Sequence, residues 1–429
     1  MAKEAQSARD GVTARHWLVL AVATFVAASG SAFVIGVGFL LPYLTSEMGL
    51  SLSRAGVLVA MPAVGMALTL IAWGWLVDRT SEKRVLVIGS SAAAAGLSAL
   101  LFTHSFGAMA AFLLLTGAAT ASGNSASGRL VVGWFPPRRR GLAMGIRQMS
   151  QPAGAAIAAM TMPLLAQSYG LAAAFGLPLA MAVVSAVAAF VVVTDPPVPS
   201  PASLPTSPPA PRVSVESPSL ATTRDAPADT PADAAGRSPY RGADYLQRIH
   251  GVSVLLVLPQ GMLQAFLLAW LVLGHGWSAV SAGIVVTVSQ ILGAAARITA
   301  GWVSDRVGSR VAPIRGVAIA VTAGLAGLAA AEAFGAPGAV AVTLGVVATV
   351  LSVSDNGLAF TAVAEYAGPR WSGRALGVQN TAQFVAIAAS TPLVAALVEA
   401  FGYWPVFAGA AVIAAAAIPL VPAVDVTRV

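Results

Sequence analysis

The sequence has no cysteine and only 4 histidines in 429 residues, and Asp, Glu, Lys and Arg together make up just 10% of it. Without cysteine there can be no disulfide, thiol nucleophile or thiolate-ligated metal. Soluble domains usually carry about 25% charged residues, so most of a normal water-facing surface is missing. Apolar residues take its place: 57% of the chain is hydrophobic and the mean hydropathy is +0.80. Uncharged runs of about 18 residues or more recur along it, the pattern of membrane-crossing helices. This composition excludes a soluble enzyme, a nucleic-acid binder and a secreted disulfide scaffold. In a soluble chain a net charge of +7 would point to nucleic acid; here the placement of the charges matters more than their sum.

Each crossing needs roughly 20 apolar residues. Reading between charged and Gly/Pro breaks gives six spans at 17–41, 55–77, 85–103, 107–132, 142–167 and 171–193. Six more follow at 250–273, 279–303, 311–333, 338–362, 374–399 and 403–422. The apolar run 17–41 is too long for the core of a signal peptide and is read as a retained first helix. Residues 194–248 differ in composition, holding 12 of the 27 prolines and no hydrophobic periodicity, and read as a flexible linker. The expected organisation is a tail (1–16), a six-helix bundle (17–193), the linker (194–248), a second six-helix bundle (249–422) and a tail (423–429). The fold class is therefore an all-α membrane protein with twelve transmembrane helices in two pseudo-symmetric bundles.

Basic residues set the expected orientation. With the first residue inside, 20 of the 24 Lys and Arg fall in the tails, the linker and the loops of one face. Arg54 is the only one on the other face, and Arg129, Arg147 and Arg297 fall within spans. Both tails and the linker are expected in the cytoplasm, and the Ala/Gly/Arg-rich composition suggests a bacterial cytoplasmic membrane.

The two halves repeat. Gly74-Trp-Leu-Val-Asp78-Arg79 recurs as Gly301-Trp-Val-Ser-Asp305-Arg306, and Ala55-Gly56 as Ala282-Gly283, both at an offset of 227. Asn124 matches Asn356, Gly145 matches Gly377 and Gln151 matches Gln383 at an offset of 232. Two parallel repeats of this kind place a ligand at the bilayer midplane between them and can rock about it. The glycine-to-Asp-Arg motifs, followed by Lys83-Arg84 and by Arg310, resemble the loops between helices 2 and 3 and between 8 and 9 of the major facilitator superfamily. Trp134-Phe-Pro-Pro-Arg-Arg-Arg-Gly-Leu-Ala-Met-Gly145 is similar to the loop between helices 4 and 5 of bacterial members. The resemblance implies a secondary transporter that works by alternating access. In the loop motifs a glycine admits a second helix closely, and an Asp at a helix end binds a helix pole or a nearby Arg. Gly74, Asp78, Arg79, Gly301, Asp305, Arg306 and Glu365 are the candidates for such a latch.

Ionisable groups inside spans are costly and mark function. Arg297-x-x-x-Gly301-x-x-x-Asp305 looks like helix 8 of oxalate–formate, monocarboxylate and related organic-anion carriers, a resemblance that makes Arg297 the carboxylate-binding cation. A planar, permanently charged fork suits a carboxylate; the alternative for Arg297 is a cation that pairs with an acid or snorkels to the inner face. Arg147 in the fifth span is a second candidate for substrate or gate, the alternative being a cation close enough to the span end to need no partner. Asp355 is the only acid well inside a span. It is either a proton-coupling site or the salt-bridge partner of Arg297 or Arg147. Gln290, Gln151, Asn124, Asn356 and Gln383 could complete a pocket, as could Gln379, Asn380, Gln260 and Gln264; each could equally hydrogen-bond a neighbouring helix. Arg129 reads as a snorkelling or latch residue, and His16, His104, His250 and His275 lie near span ends with no His relay in view.

The function expected from these residues is transport of a small anionic solute, a carboxylate, with proton coupling through Asp355. Multidrug or metabolite efflux is the alternative, although the fifth span lacks a Gly-Pro dipeptide and no acid lies mid-span in the first half. A non-transporting membrane sensor is a third reading, which the repeated loop motifs disfavour. No enzyme activity, metal or cofactor is expected, and the partners are a small-molecule substrate and the bilayer, with the chain acting as a monomer.

Overall fold

The computed structural model describes residues 12–103, 105–194, 238–240, 244–423 and 425. Most of the linker and both tails lie outside the described residues, as do His104 and the side chains of Arg138, Arg140 and Arg370.

Among the described residues twelve helices follow one another. In the first half they are α1 (Ala14–Ser46), α2 (Leu52–Arg79), α3 (Glu82–Leu100), α4 (Phe106–Trp134), α5 and α6 (Leu171–Val192). Helix α5 comes in two pieces, Pro137–Gln148 and Ser150–Tyr169, joined at Met149. In the second half α7 spans Tyr245–Gly274, α8 Ala279–Val307, α9 Val311–Ala333, α10 Gly338–Gly368, α11 Trp371–Phe401 and α12 Tyr403–Leu420. Eleven of these are long and apolar enough to cross a bilayer by themselves. The twelfth, α5, is interrupted at Met149 and is diluted by Arg147, Gln148 and Gln151, and it is held by its neighbours α1 and α8. Several helices run a turn beyond the expected spans, because polar residues at their ends cap them. Helix α7 starts at Tyr245, inside the stretch read as linker, and extends that bundle by about one turn.

Turn chemistry repeats with the sequence. Ser51 accepts a hydrogen bond from the Arg54 amide (3.3 Å) at the start of α2, and its counterpart Ser278 accepts from the Ser281 amide (3.1 Å) at the start of α8. Gly170 between α5 and α6 and Gly402 between α11 and α12 both have positive φ, 86° and 80°, which only glycine adopts cheaply.

Across the seam between the bundles, α2 lies on α11, α5 on α8 and α1 on α7. At the glycines of the seam, close approach occurs on the face opposite the basic loops, while farther along Trp73 of α2 and Phe384 of α11 still pack against Met66, Leu70 and Ala121. A Cβ added at Gly56 would sit 2.4 Å from the Ala395 Cβ, one at Gly283 2.5 Å from the Ala159 carbonyl, and one at Gly38 3.1 Å from the Ala265 Cα. Ser53 donates from its amide (2.7 Å) and hydroxyl (2.5 Å) to Glu399 on that face. Five turns along the same sides of α2 and α8, about 27 Å away at 1.5 Å per residue, stand Gly74 and Gly301. A Cβ at either would meet nothing within 4 Å, and the same holds at Gly145 on α5 and Gly373 and Gly377 on α11. The close helix approach expected at Gly74 and Gly301 is therefore absent, because in this conformation the seam is shut on the far face and open on the basic face.

Candidate functional site

Helix α10 breaks at mid-length. Residues 353–355 form a turn between Gly338–Ser352 and a helix restarting at Asn356, so Asp355 stands at a helix start rather than inside a continuous span. No proline causes this. Ser352, Ser354, Asp355 and Asn356 are residues whose side chains compete for backbone hydrogen bonds, and Gly357 follows them. The break frees the Val353 carbonyl, which Arg297 of α8 occupies with its Nε at 3.1 Å. The guanidinium also donates from Nη2 to Gln151 Oε1 at 3.1 Å, so one side chain joins both bundles. Gly293, one turn before Arg297, lets α8 approach the turn: a Cβ there would lie 2.9 Å from Val353 Cγ2. Broken backbone at membrane depth is tolerated where it lines a cavity or is covered by protein.

Asp355 is 2% exposed. Among the described residues no ion pair joins it to Arg297 or Arg147, although Arg297 acts on it electrostatically. The direct salt bridge weighed from sequence is therefore not formed in this state. The preferred partner of Arg297 is a backbone carbonyl, whose position the broken helix fixes. Arg147 has its own partners, Ser127 Oγ of α4 (3.2 Å) and the adjacent Gln148 Oε1 (3.0 Å). The two arginines share no partner; Gln151, one turn beyond Arg147, is the link between their neighbourhoods.

Amides surround this centre on the second bundle. Asn356 donates to Gln260 Oε1 of α7 at 3.1 Å. Gln290 and Gln383 are buried, 5% and 8% exposed. Gln379, the repeat counterpart of Arg147, meets His250 Nδ1 through its Oε1 at 3.2 Å, and Tyr240 reaches the other nitrogen of that ring at 3.1 Å. Sequence reasoning missed this chain because His250 stands near a span end. Asn124 is exposed on α4, and among the described residues no hydrogen bond joins it to Asn356.

The loop acids are paired within their own bundles. Asp78 binds Arg129 of α4, which Glu82 also approaches at 3.4 Å. Asp305 (2.5 Å) and Glu365 (3.1 Å) share Arg310. These contacts, Glu365 foremost, hold the Arg310 guanidinium above its ordinary pKa against partial burial. Each bundle thus folds one arginine between two acids, from α4 in the first half and from the α8–α9 loop in the second. Arg79 and Arg306, read as latch members, instead lie over the Trp75 and Trp302 rings at 4.0 and 3.9 Å from the centroids. The acids already have better-placed cations. Asp425 was missed, being beyond the last span: it accepts from the amides of Arg310 (2.9 Å) and Val311 (3.1 Å) and from the Ser309 hydroxyl, capping α9 beside the Arg310 network.

A family model, Major Facilitator Superfamily, matches residues 20–391. An uncharacterized MFS-type transporter of Mycobacterium tuberculosis is 43% identical over 412 residues, 96% of this chain and 86% of that protein. A gallate transporter of Pseudomonas putida is 28% identical over 135 residues, 32% of this chain and 30% of that one. Among solved structures, a bacterial homologue of the human lysosomal transporter Spinster, in an inward-facing and occupied conformation, superposes with a TM-score of 0.69 at 13% identity, covering 94% of this chain and 95% of that one. A D-xylose–proton symporter superposes with a TM-score of 0.69 at 15% identity, covering 96% and 98%. The two-bundle fold, the repeated loop motifs and a family match over most of the length agree, and the chain belongs to the major facilitator superfamily of membrane transporters.

Proposed function

We propose that this transporter moves a small carboxylate through the seam, with Arg297 as the cation that receives it. The observation that carries the reading is the state of that guanidinium. It is held by a carbonyl and an amide, neither of which is charged, so its positive charge has no direct counter-ion in the seam. Counting Arg147 and the lone acid Asp355, the centre holds two cations and one anion. One negative charge on a bound solute restores the balance, and a carboxylate matches the planar fork. That a stretch of the chain is similar to a gallate transporter agrees with this class of solute.

The remaining residues have assigned roles in this proposal. Gln151 ties the solute site to the first bundle, so that its contact with Arg297 is remade as the bundles rock. Gln290, Gln383, Asn356 and Asn124 supply amide hydrogen bonds, and Arg147 guards the route from the open face. Asp355 takes and releases a proton beside Arg297, coupling solute movement to a proton gradient. The basic face is the cytoplasmic one, which makes the structure an inward-open state of a bacterial cytoplasmic-membrane carrier. Closure toward the cytoplasm would bring Gly74 against the Gly373–Gly377 side of α11 and Gly301 against Gly145, mirroring Gly56 on Ala395 and Gly283 on Ala159. Asp78 and Asp305 would then be released from their arginines to face the opposing bundle.

The test is uptake into proteoliposomes of a labelled panel of small carboxylates, gallate among them, and of one cationic dye. Carboxylate uptake that Arg297→Gln abolishes, in protein that stays folded and monodisperse, is the expected result. Dye transport that survives the substitution, with no carboxylate moved, refutes the reading in favour of drug efflux.

A further inference from the structure

On α2, Leu68, Ile71 and Trp75 form an exposed apolar stripe, at 69%, 69% and 53% exposure, on the side turned away from the core residues Met66 and Leu70. On α8, Ile291, Ile298 and Trp302 form the matching stripe, again away from Arg297 and Gln290. In a membrane such stripes face lipid. Each ends at the basic face in the same device: a tryptophan with an arginine one turn further on, stacked over its ring at 4.0 Å for Arg79 and 3.9 Å for Arg306. Neither arginine has an ion-pair partner among the described residues, although an aspartate precedes each in sequence. Arg129 and Arg310 have taken those acids. The two stacked guanidiniums are therefore fixed in place at the end of a lipid-facing stripe, their N–H donors unclaimed, and they recur at the repeat offset.

We infer that Arg79–Trp75 and Arg306–Trp302 are two equivalent binding sites for anionic phospholipid headgroups in the leaflet on the basic face. Tryptophan sits at the headgroup level with its ring among the upper acyl carbons. Stacking fixes the guanidinium with its edge toward the headgroups, and a phosphate accepts its paired donors in the bidentate way that carboxylates do. Asp78 and Asp305, the acids next to these arginines in the chain, are paired with Arg129 and Arg310 in this open state, which lessens their repulsion of an anionic lipid. If closure of the seam frees Asp78 and Asp305, the same sites lose affinity, so anionic lipid favours the state open to the basic face. The lipid sites themselves stand independently of what the carrier transports.

The experiment uses the purified full-length protein in detergent. Native mass spectrometry counts bound phosphatidylglycerol and phosphatidylethanolamine of equal chain length, and melting is followed with each lipid. Two tightly bound phosphatidylglycerols and a melting rise of several degrees beyond that with phosphatidylethanolamine are expected for the natural protein. Arg79→Gln and Arg306→Gln should each remove one bound lipid, with headgroup affinity at that site falling about fivefold per arginine lost. The single substitutions carry the test if the double variant fails to fold. Equal binding of the two lipids, an unchanged lipid count in both variants, or the same melting rise with inorganic phosphate would each overturn the proposal.

Discussion

The two bundles are copies in topology and opposites in content. The first is drawn together by glycine: a Cβ added at Gly65 would lie 2.0 Å from the Leu114 carbonyl, one at Gly117 2.2 Å from that of Pro62, and one at Gly154 2.2 Å from that of Ala28. Helices that close pack by backbone contact and leave little room for large or polar side chains. The second bundle has looser joints, a break in α10 and a turn of π-helix at Trp270–Gly274, and it carries Arg297, Asp355 and most of the buried amides. The position that repeats Arg297 in the first bundle is Leu70, buried with Met66 and Ala121. The first copy of the repeat is thus the more tightly packed at its glycines and brings Arg147 and Gln151 to the seam, while the second carries Arg297, Asp355 and the buried amides.

Moving the charge across the seam should break this comparison most severely. Arg297→Leu combined with Leu70→Arg keeps the net charge, yet α2 offers no freed carbonyl to hold the guanidinium. Losing a hydrogen-bonded buried charge contact costs roughly 2–5 kcal/mol, so carboxylate uptake should fall at least about 30-fold and the swap should not restore it. The two ends of the seam come next. Gly56→Leu and Gly74→Leu should both lower uptake about tenfold or more, since each blocks one closed state. Only Gly56→Leu should also lower the melting temperature, because that end is in contact here and the Gly74 end is open.

Smaller effects sharpen the packing contrast. Gly65→Ala forces a methyl into the Leu114 carbonyl and should cost about 1–3 kcal/mol, read as a fall in melting temperature. Gly316→Ala on α9 meets nothing within 4 Å and should stabilise by up to about 1 kcal/mol through helix propensity. Asp425→Asn weakens the cap on α9 and should cost about 0.5–2 kcal/mol, with faster proteolysis at the α8–α9 loop. Smallest is Asn356→Ala, which removes one inter-helix hydrogen bond worth about 0.6 kcal/mol and should change solute affinity only a few-fold.

Apolar runs and glycines carried most of the fold into the sequence. A run that crosses a membrane can adopt almost nothing but a helix, and the offsets of Gly74/Gly301 and Gly145/Gly377 displayed the repeat before any helix was placed. The candidate site was legible as single residues and not as contacts. Arg297 stood out because a charge in a span is rare, but its partners, the Val353 carbonyl and Gln151, depend on how α5, α8 and α10 meet. The break at Asp355 was signalled by Ser352, Ser354, Asp355, Asn356 and Gly357 together; reading for apolar runs hid it, since no proline marks the place. The ion pairs of the loop acids were half visible: the acids were evident from the motif, while their partners Arg129 and Arg310 are chosen by geometry over the sequence neighbours Arg79 and Arg306. Asp425 and the Tyr240–His250–Gln379 chain carry no local signature at all.

The central claim is that Arg297 is the receiving cation for a carboxylate. Its most direct test is equilibrium binding of a labelled carboxylate, chosen from the uptake panel, to purified protein, comparing the natural chain with Arg297→Gln and Arg297→Lys. The account predicts saturable binding that Gln abolishes and Lys weakens but retains, since Lys keeps the charge and loses the fork. Equal binding by all three proteins would contradict it and leave Arg297 as a strut between the broken helix and Gln151.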